Sequence, residues 1–449
     1  MAQPPAATDA AKLGPVLATV LVAGNIVGSG IYLLPATLAL VGGISLFGWA
    51  LATVCALLLA VVFSALVVLR PDLDGIPAYV RAGLGPYLGF QAGLVYWASN
   101  WTGIIAIAVT VTGYLAFFMP ALRDPITAAG CTLAVIWLMT LANIIGARFV
   151  GKLGGVGLVL GLLPLAAVGL FGWLWFDPHL YAQSWNVSGK PLLQATGASL
   201  VLIFWAFTGM ESAIVAAAVV RRPERNVPIA TIGGVALAAA VYVLASVAIG
   251  GIVPGPELAR SSAPFATAMT RMSGPVAASL VALCALVKVA GTGLGITLIT
   301  GETTRASAAN GHFPRLLART RADGIPVNAL VFLAIMMSAL VLVTIAPTIR
   351  RQFEVLIDLA TVFTLIPYIW CCLAAARFAG AIRSRAWRLT VQASALLAAA
   401  FCLGFTASSE PRLLLISLVA LAATIPLWIG IRFAGRSRRA TTIAARKAI

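Results

Sequence analysis

An all-α membrane protein of about twelve transmembrane helices is the fold class this chain predicts, and three observations predict it. The 449 residues are 61% hydrophobic and only 10% charged. The apolar residues come in blocks of about 20, the length that crosses a bilayer, whereas a buried helix of a soluble protein is apolar over roughly 10 to 14. The basic residues fall between the blocks: with a cytoplasmic amino terminus, 22 of the 30 Lys and Arg lie in cytoplasmic segments, seven lie outside and Lys288 lies within a span. By the positive-inside rule both termini are then cytoplasmic, and the net charge of +17 serves topology and contact with anionic membrane lipid. A nucleic-acid partner would need basic residues gathered on one soluble face, so none is expected.

Taken in order, the predicted spans are 14–36, 42–69, 87–118, 126–145, 153–176, 195–219, 229–252, 275–300, 327–346, 355–376, 387–405 and 412–434. The first follows thirteen polar, nearly uncharged residues and is too long for a signal-peptide core, so it is expected to be retained. Arginine clusters mark cytoplasmic ends: Arg221, Arg222 and Arg225 after span six, Arg305, Arg315, Arg319 and Arg321 after span eight, Arg383, Arg385 and Arg388 after span ten, and Arg436, Arg438 and Arg439 after span twelve. The connecting loops are short, which makes residues 1–449 a single transmembrane domain and confines any chemistry to the bundle or its mouths.

Spans one and six differ from the rest. Span one carries Gly24-Asn25-Ile26-Val27-Gly28-Ser29-Gly30 at its middle, and span six carries Thr208-Gly209-Met210-Glu211 at similar depth. Each glycine costs a helix about 1 kcal/mol against alanine. Backbone groups freed in hydrocarbon must be satisfied by protein or by a wet cavity. Such glycines can also serve close helix packing. Two breaks five spans apart match the offset of an inverted repeat whose first helices are both discontinuous, with 14–176 as the first repeat, 195–376 as the second and 387–434 as two added helices.

A broken helix exposes N–H groups where its second half starts and carbonyls where its first half ends. The first set, near Ser29 and Gly30, suits a carboxylate; the second, at Ile26, Trp205 and Thr208, suits an ammonium, so the pair suits the zwitterion of an amino acid. Glu211, an acid inside a span, is a candidate proton acceptor or gate residue, or a protonated cap on the second half-helix. Lys288 has no acid near it in sequence; Asp358, Glu211 and the carbonyls ending the first half-helix are its candidate partners. It can serve as a substitute for a sodium ion at those carbonyls, as one arm of a salt bridge, or as a substrate contact. Trp205, placed four residues before Gly209, can close over the substrate as a gate; Trp97 and Trp101 read as packing residues and Tyr96 as a weaker site candidate.

A channel needs a continuous polar path, and only Glu211, Lys288 and Asp358 lie well inside spans. An enzyme needs clustered nucleophile, base or metal ligands, but His179 and His312 fall in loops on opposite sides and the six cysteines all fall in apolar segments without metal-site spacing. No cofactor and no metal are expected.

The run Gly24-Asn25-Ile26-Val27-Gly28-Ser29-Gly30-Ile31-Tyr32-Leu33-Leu34-Pro35-Ala36 resembles the first-helix signature of the amino acid-polyamine-organocation superfamily, and most closely that of bacterial arginine/agmatine antiporters. The likeness continues through Gly85-Pro86-Tyr87-Leu88-Gly89-Phe90-Gln91, Trp185-Asn186-Val187-Ser188-Gly189, the run from Arg225 to Val235, and Phe363-Thr364-Leu365-Ile366-Pro367-Tyr368. The resemblance implies a bacterial inner-membrane antiporter, often dimeric, that exchanges an amino acid for its decarboxylation product without enzymatic chemistry. It implies Ser29 and Gly30 at the substrate carboxylate, Ile26, Trp205 and Thr208 at the ammonium, Asn25 lining the site, Trp205 as the middle gate, Glu211 as the proton-responsive acid and Tyr96 near the external gate. The departures are Ile296, where those antiporters stack a tryptophan on the guanidinium, Ile104 and Ala360, where they carry polar groups, and Lys288, where they carry no charge. The expected substrate is therefore a neutral or smaller amino acid, or a related amine, rather than arginine. The expected transport is exchange, proton-linked and sodium-independent, with arginine/agmatine antiport proper and a non-transporting amino-acid sensor as the alternatives.

Overall fold

The computed structural model describes residues 13–28, 30–212 and 220–447, and the regular structure within them is helical apart from one isolated parallel bridge between Leu13 and Val220. The helices run in the order α1 (Pro15–Ile26), α2 (Gly30–Leu38), α3 (Leu46–Leu69), α4 (Ile76–Leu84), α5 (Pro86–Phe118), α6 (Pro125–Ile145), α7 (Ala147–Gly169), α8 (Pro178–Gln183), α9 (Leu192–Trp205), α10 (Pro223–Ile252), α11 (Gly255–Arg260), α12 (Pro264–Ala309), α13 (Val327–Val343), α14 (Ile349–Phe378), α15 (Arg385–Ala407) and α16 (Pro411–Lys447). Among the described residues nine helices are long and apolar enough to cross a membrane, and the bent pair α1 and α2 makes a tenth crossing. The shorter apolar helices α9 and α13 stand where spans six and nine are predicted. The protein is a multi-pass membrane protein.

Proline opens many of these helices, at Pro15, Pro86, Pro125, Pro223 and Pro264 among others, because the first helical turn has no use for the N–H that proline lacks. Asp124 caps α6 by accepting from Thr127 N at 2.9 Å, which holds its carboxyl below the usual carboxylate range. The predicted start of span eight at 275 coincides with a kink inside α12, where Gly274 takes a φ of 85° ahead of Pro275.

Three short helices connect spans and escape the reading by hydropathy, since none approaches membrane length. One of them, α4, is amphipathic and buries Ile76, Tyr79, Val80 and Gly83. It packs on α5 and α14 so tightly that a Cβ at Gly83 would fall 2.6 Å from Ala374 Cβ. On the opposite face, α8 leads into a turn that covers the end of α2. There Gly43 N donates to Ser184 O at 2.9 Å and Ile44 N to Trp185 O at 2.7 Å, and Gly42, at φ 98°, has no room for a Cβ against Ser184 O.

The interior is built by α12 packed on α7 and α5, α14 on α5, and α1 on α10. These elements surround the two interrupted helices.

Candidate functional site

The first span is interrupted as expected. Helix α1 stops at Ile26, Gly28 N turns back to Ile26 O at 2.6 Å, and α2 resumes at Gly30 with its axis bent by 53°. Ser29 lies outside the described residues.

The sixth span is interrupted too, at the predicted Gly209. Helix α9 ends at Trp205, and residues 206–211 proceed as turns through Gly209 at φ 100° before helix resumes at Ser212, with 213–219 outside the described residues. Thr208 holds the end of α9 by donating through N at 3.1 Å and Oγ at 2.7 Å to Trp205 O. A φ of 100° is open to glycine and strained for any residue with a side chain.

The two interruptions face each other. A Cβ at Gly209 would sit 3.4 Å from Asn25 O, and Asn25 Nδ2 donates to Ser212 Oγ at 3.4 Å. Tyr242 of α10 ties both, its hydroxyl lying 2.8 Å from Ile26 O and 3.0 Å from Ala206 O. One hydroxyl proton is thereby shared between the carbonyls that end the two half-helices. Buried Trp205 lies between α2 and α5: a Cβ at Gly30 would meet its Cδ1 at 3.1 Å, and one at Gly103 its Cη2 at 2.6 Å.

Beyond Trp205 the chain reaches Glu211, which is half-buried and accepts three hydrogen bonds: from Tyr96 Oη at 2.5 Å, from the Tyr368 hydroxyl, and from Gly209 N at 3.0 Å. Tyr96 was expected near the external gate, and the structure places it elsewhere. On α5, which sets out from the same face as α1 does, Tyr96 precedes Gly103 by seven residues, about 10 Å of helix, and so lies on the amino-terminal side of Trp205. Its bond to Glu211, itself past Trp205 on a chain descending toward that face, requires this.

Lys288, 6% exposed, rests its stem on α7. A Cβ at Gly161 would fall 2.3 Å from Lys288 Cγ, and Nζ donates to Gly24 O at 3.3 Å, near the end of α1. Of the three candidate partners, the structure therefore supplies a carbonyl of the first half-helix; no carboxylate pairs with Lys288 among the described residues. Asp358 has Glu354, Glu410 and Arg351 as its charged neighbours instead. Ile296 is half-buried on α12, and Ala360 is buried on α14 with its carbonyl accepting from Ser99 Oγ at 2.8 Å. Trp97 donates to Thr304 Oγ1 at 2.7 Å and its ring lies 4.9 Å from that of Phe313, tilted by 50°, a packing role.

The residues missed from sequence are Tyr242, Tyr368, Tyr32 and the Ser99–Thr364 pair. A usable signal existed: a phenol or hydroxyl in a long apolar run must find an acceptor inside the bundle.

The chain matches the family model of the amino acid permeases over residues 13–432. It is 37% identical over 379 residues to the cadaverine/lysine antiporter of Escherichia coli (strain K12), covering 83% of this chain and 85% of that protein. To the putrescine transporter PotE of the same strain it is 36% identical over 358 residues, 80% of this chain and 82% of the relative, and to PotE of Haemophilus influenzae 34% over the same length. Two interrupted spans meeting inside an apolar helical bundle, on a chain matched almost end to end, place this protein in the amino acid permease family of membrane transporters.

Proposed function

We propose that this protein exchanges a linear aliphatic amino acid or amine, of the lysine and diamine class, across the bacterial inner membrane by alternating access. The observation that carries this reading is the meeting of the two breaks, with Asn25 O against Gly209 and Trp205 covering Gly30. The carbonyls at Ile26, Trp205 and Thr208 receive the ammonium, the first two by giving up a donor that they hold in this structure, N–H groups at the start of α2 around Ser29 and Gly30 receive a carboxylate, and Trp205 closes over them. Ile296 and Ala360 offer an apolar wall, which suits an aliphatic chain better than a guanidinium. The relatives named for lysine, cadaverine and putrescine support that side-chain class, and nothing favours arginine/agmatine exchange in particular.

In this reading the two five-span units, 14–176 and 195–376, move as inverted repeats and both termini are cytoplasmic. Lys288 supplies at Gly24 O the positive charge a sodium ion would bring, which makes exchange sodium-independent. Glu211, clamped by Tyr96 and Tyr368 on the amino-terminal side of Trp205, is the proton-linked gate.

The test is counterflow in proteoliposomes against lysine, cadaverine, putrescine, arginine, agmatine and neutral amino acids, with sodium and pH varied. Lysine or a diamine is expected as the best exchanged solute, at equal rate with and without sodium. Arginine and agmatine as the best pair, or a strict sodium requirement, would overturn the proposal.

A further inference from the structure

The head-group contacts at the two breaks leave the far end of a diamine, or of the lysine side chain, without a partner. Helix α5 walls this gap, and its residues sort by where they reach. Ser99 Oγ donates to Ala360 O of α14 at 2.8 Å and Trp97 Nε1 to Thr304 Oγ1 of α12 at 2.7 Å, so these two positions mark the flanks of the helix. Tyr96 and Gly103, seven residues apart and therefore on one face, both meet span six, the first at Glu211 and the second at the Trp205 ring. Asn100 falls between them on that face, four residues after Tyr96 and three before Gly103. It is directed at the unwound stretch, between the Trp205 gate and the Glu211 clamp.

The Asn100 amide is fixed by its own helix. Nδ2 donates to Tyr96 O at 3.0 Å, one turn back, and a carbonyl acceptor there requires the NH2 on that side. Oδ1 is left with no donor among the described residues. It belongs to a half-buried side chain and, unlike sealed atoms such as Trp49 Nε1, keeps surface open to contact. The other acceptor on this face, Glu211, already holds three donors, from Tyr96, Tyr368 and Gly209 N. A primary ammonium brings three N–H donors and no acceptor, so it is the group that such an oxygen completes.

The reach fits as well. The indole of Trp205 runs from Gly30 at the start of α2 to Gly103 on α5, and Asn100 lies about 4.5 Å along α5 from Gly103. One indole across and less than one turn along suits the terminal nitrogens of an extended five-carbon chain, roughly 7 Å apart at about 1.5 Å per bond. We propose that Asn100 Oδ1 accepts the distal ammonium of the substrate, and that Asn100 is thereby the residue that selects lysine and diamines over neutral amino acids of the same length. This inference rests on the head-group reading proposed above and adds the contact that reading leaves open.

The test measures binding to the purified full chain in lipid nanodiscs as a saturable rise in apparent Tm. The probes are L-lysine and L-norleucine, which share a backbone and a four-carbon chain and differ by the distal ammonium. Wild-type protein is expected to bind lysine about tenfold or more tightly than norleucine, the worth of a hydrogen bond to a charged group. Asn100→Leu should bring the two within about threefold while norleucine binds as before. That variant is decisive where it folds, and Asn100→Asp, which should widen the ratio, where it does not. A ratio unchanged from wild type in the deciding variant overturns the proposal, as does a wild-type chain that binds norleucine as tightly as lysine. Equal loss of both ligands in Asn100→Leu overturns it too, by making the residue a structural one. A wild-type chain that binds neither probe is a separate failure, which removes the head-group reading and this inference with it.

Discussion

Glu211 and Lys288 are both ionisable groups inside the bundle, yet they are held in opposite ways. Glu211 draws donors from three segments: Tyr96 on α5, Tyr368 on α14 and the Gly209 N–H on its own unwound stretch. Among the described residues Lys288 has one long polar contact, to Gly24 O at 3.3 Å, and its placement comes from packing of its methylenes onto the glycines of α7. A carboxylate with three donors is fastened by hydrogen bonds that can be exchanged one at a time. A lysine laid along a glycine groove is positioned by shape, with a single carbonyl at its ammonium among the described residues. The difference teaches that the acid clamp ties two helices to the unwound stretch at a point that can open, whereas the lysine belongs to the scaffold formed by α7 and α12.

The sharpest way to break this contrast is Gly161→Ala. The added Cβ would lie 2.3 Å from Lys288 Cγ, so overpacking should cost about 1–3 kcal/mol, read as a fall in apparent Tm in lipid. In a Lys288→Ala background the same substitution should cost clearly less, because the contacts to Cγ and Cδ are gone and only Cβ, at 2.8 Å, remains. An equal penalty in both backgrounds would mean that the groove does not position the lysine.

Next in size is Tyr368→Phe, which removes one of the three donors to Glu211 and should destabilise by about 1.5 kcal/mol. Lys288→Met keeps the stem on the groove and should cost less than Tyr368→Phe. The reverse order, measured by the same Tm assay, would invert the comparison.

The smallest effect concerns a titrating ring outside the membrane. His312 follows α12 with its ring 5.2 Å from that of Phe90, and burial and Arg81 hold its pKa below the ordinary 6.5. A histidine that is harder to protonate when folded makes the unfolded chain bind more protons in that range. Stability is therefore whole above about pH 6.5 and declines as the pH falls toward the lower folded value. His312→Phe should flatten that decline; an unchanged pH profile of Tm would count against it.

Much of the architecture is legible along the chain because the membrane demands it. A span must be apolar for about 20 residues, and loops between spans carry the arginines. The interruptions at Gly28 and Gly209 were legible because they fall at similar depth in spans five apart, one of them beside an intramembrane acid. The place of Tyr96 relative to Trp205 was not, since it depends on how α5 and the unwound stretch after α9 register against each other. Helices α4, α8 and α11 were missed for a related reason: they are too short for a hydropathy signal, and their fit against neighbours is what forms them.

The sequence by itself determined the fold class, the places where backbone is released inside the membrane, and the presence of one acid and one lysine near them. Those properties follow from local composition, which hydrocarbon and water sort residue by residue. The tertiary structure alone decided that Lys288 reaches Gly24 rather than Asp358, that Tyr242 joins the two breaks, and that Tyr96 and Tyr368 converge on Glu211. Each pairing links segments more than a hundred residues apart or helices whose rotation is set by packing, and the sequence carries no local term for either.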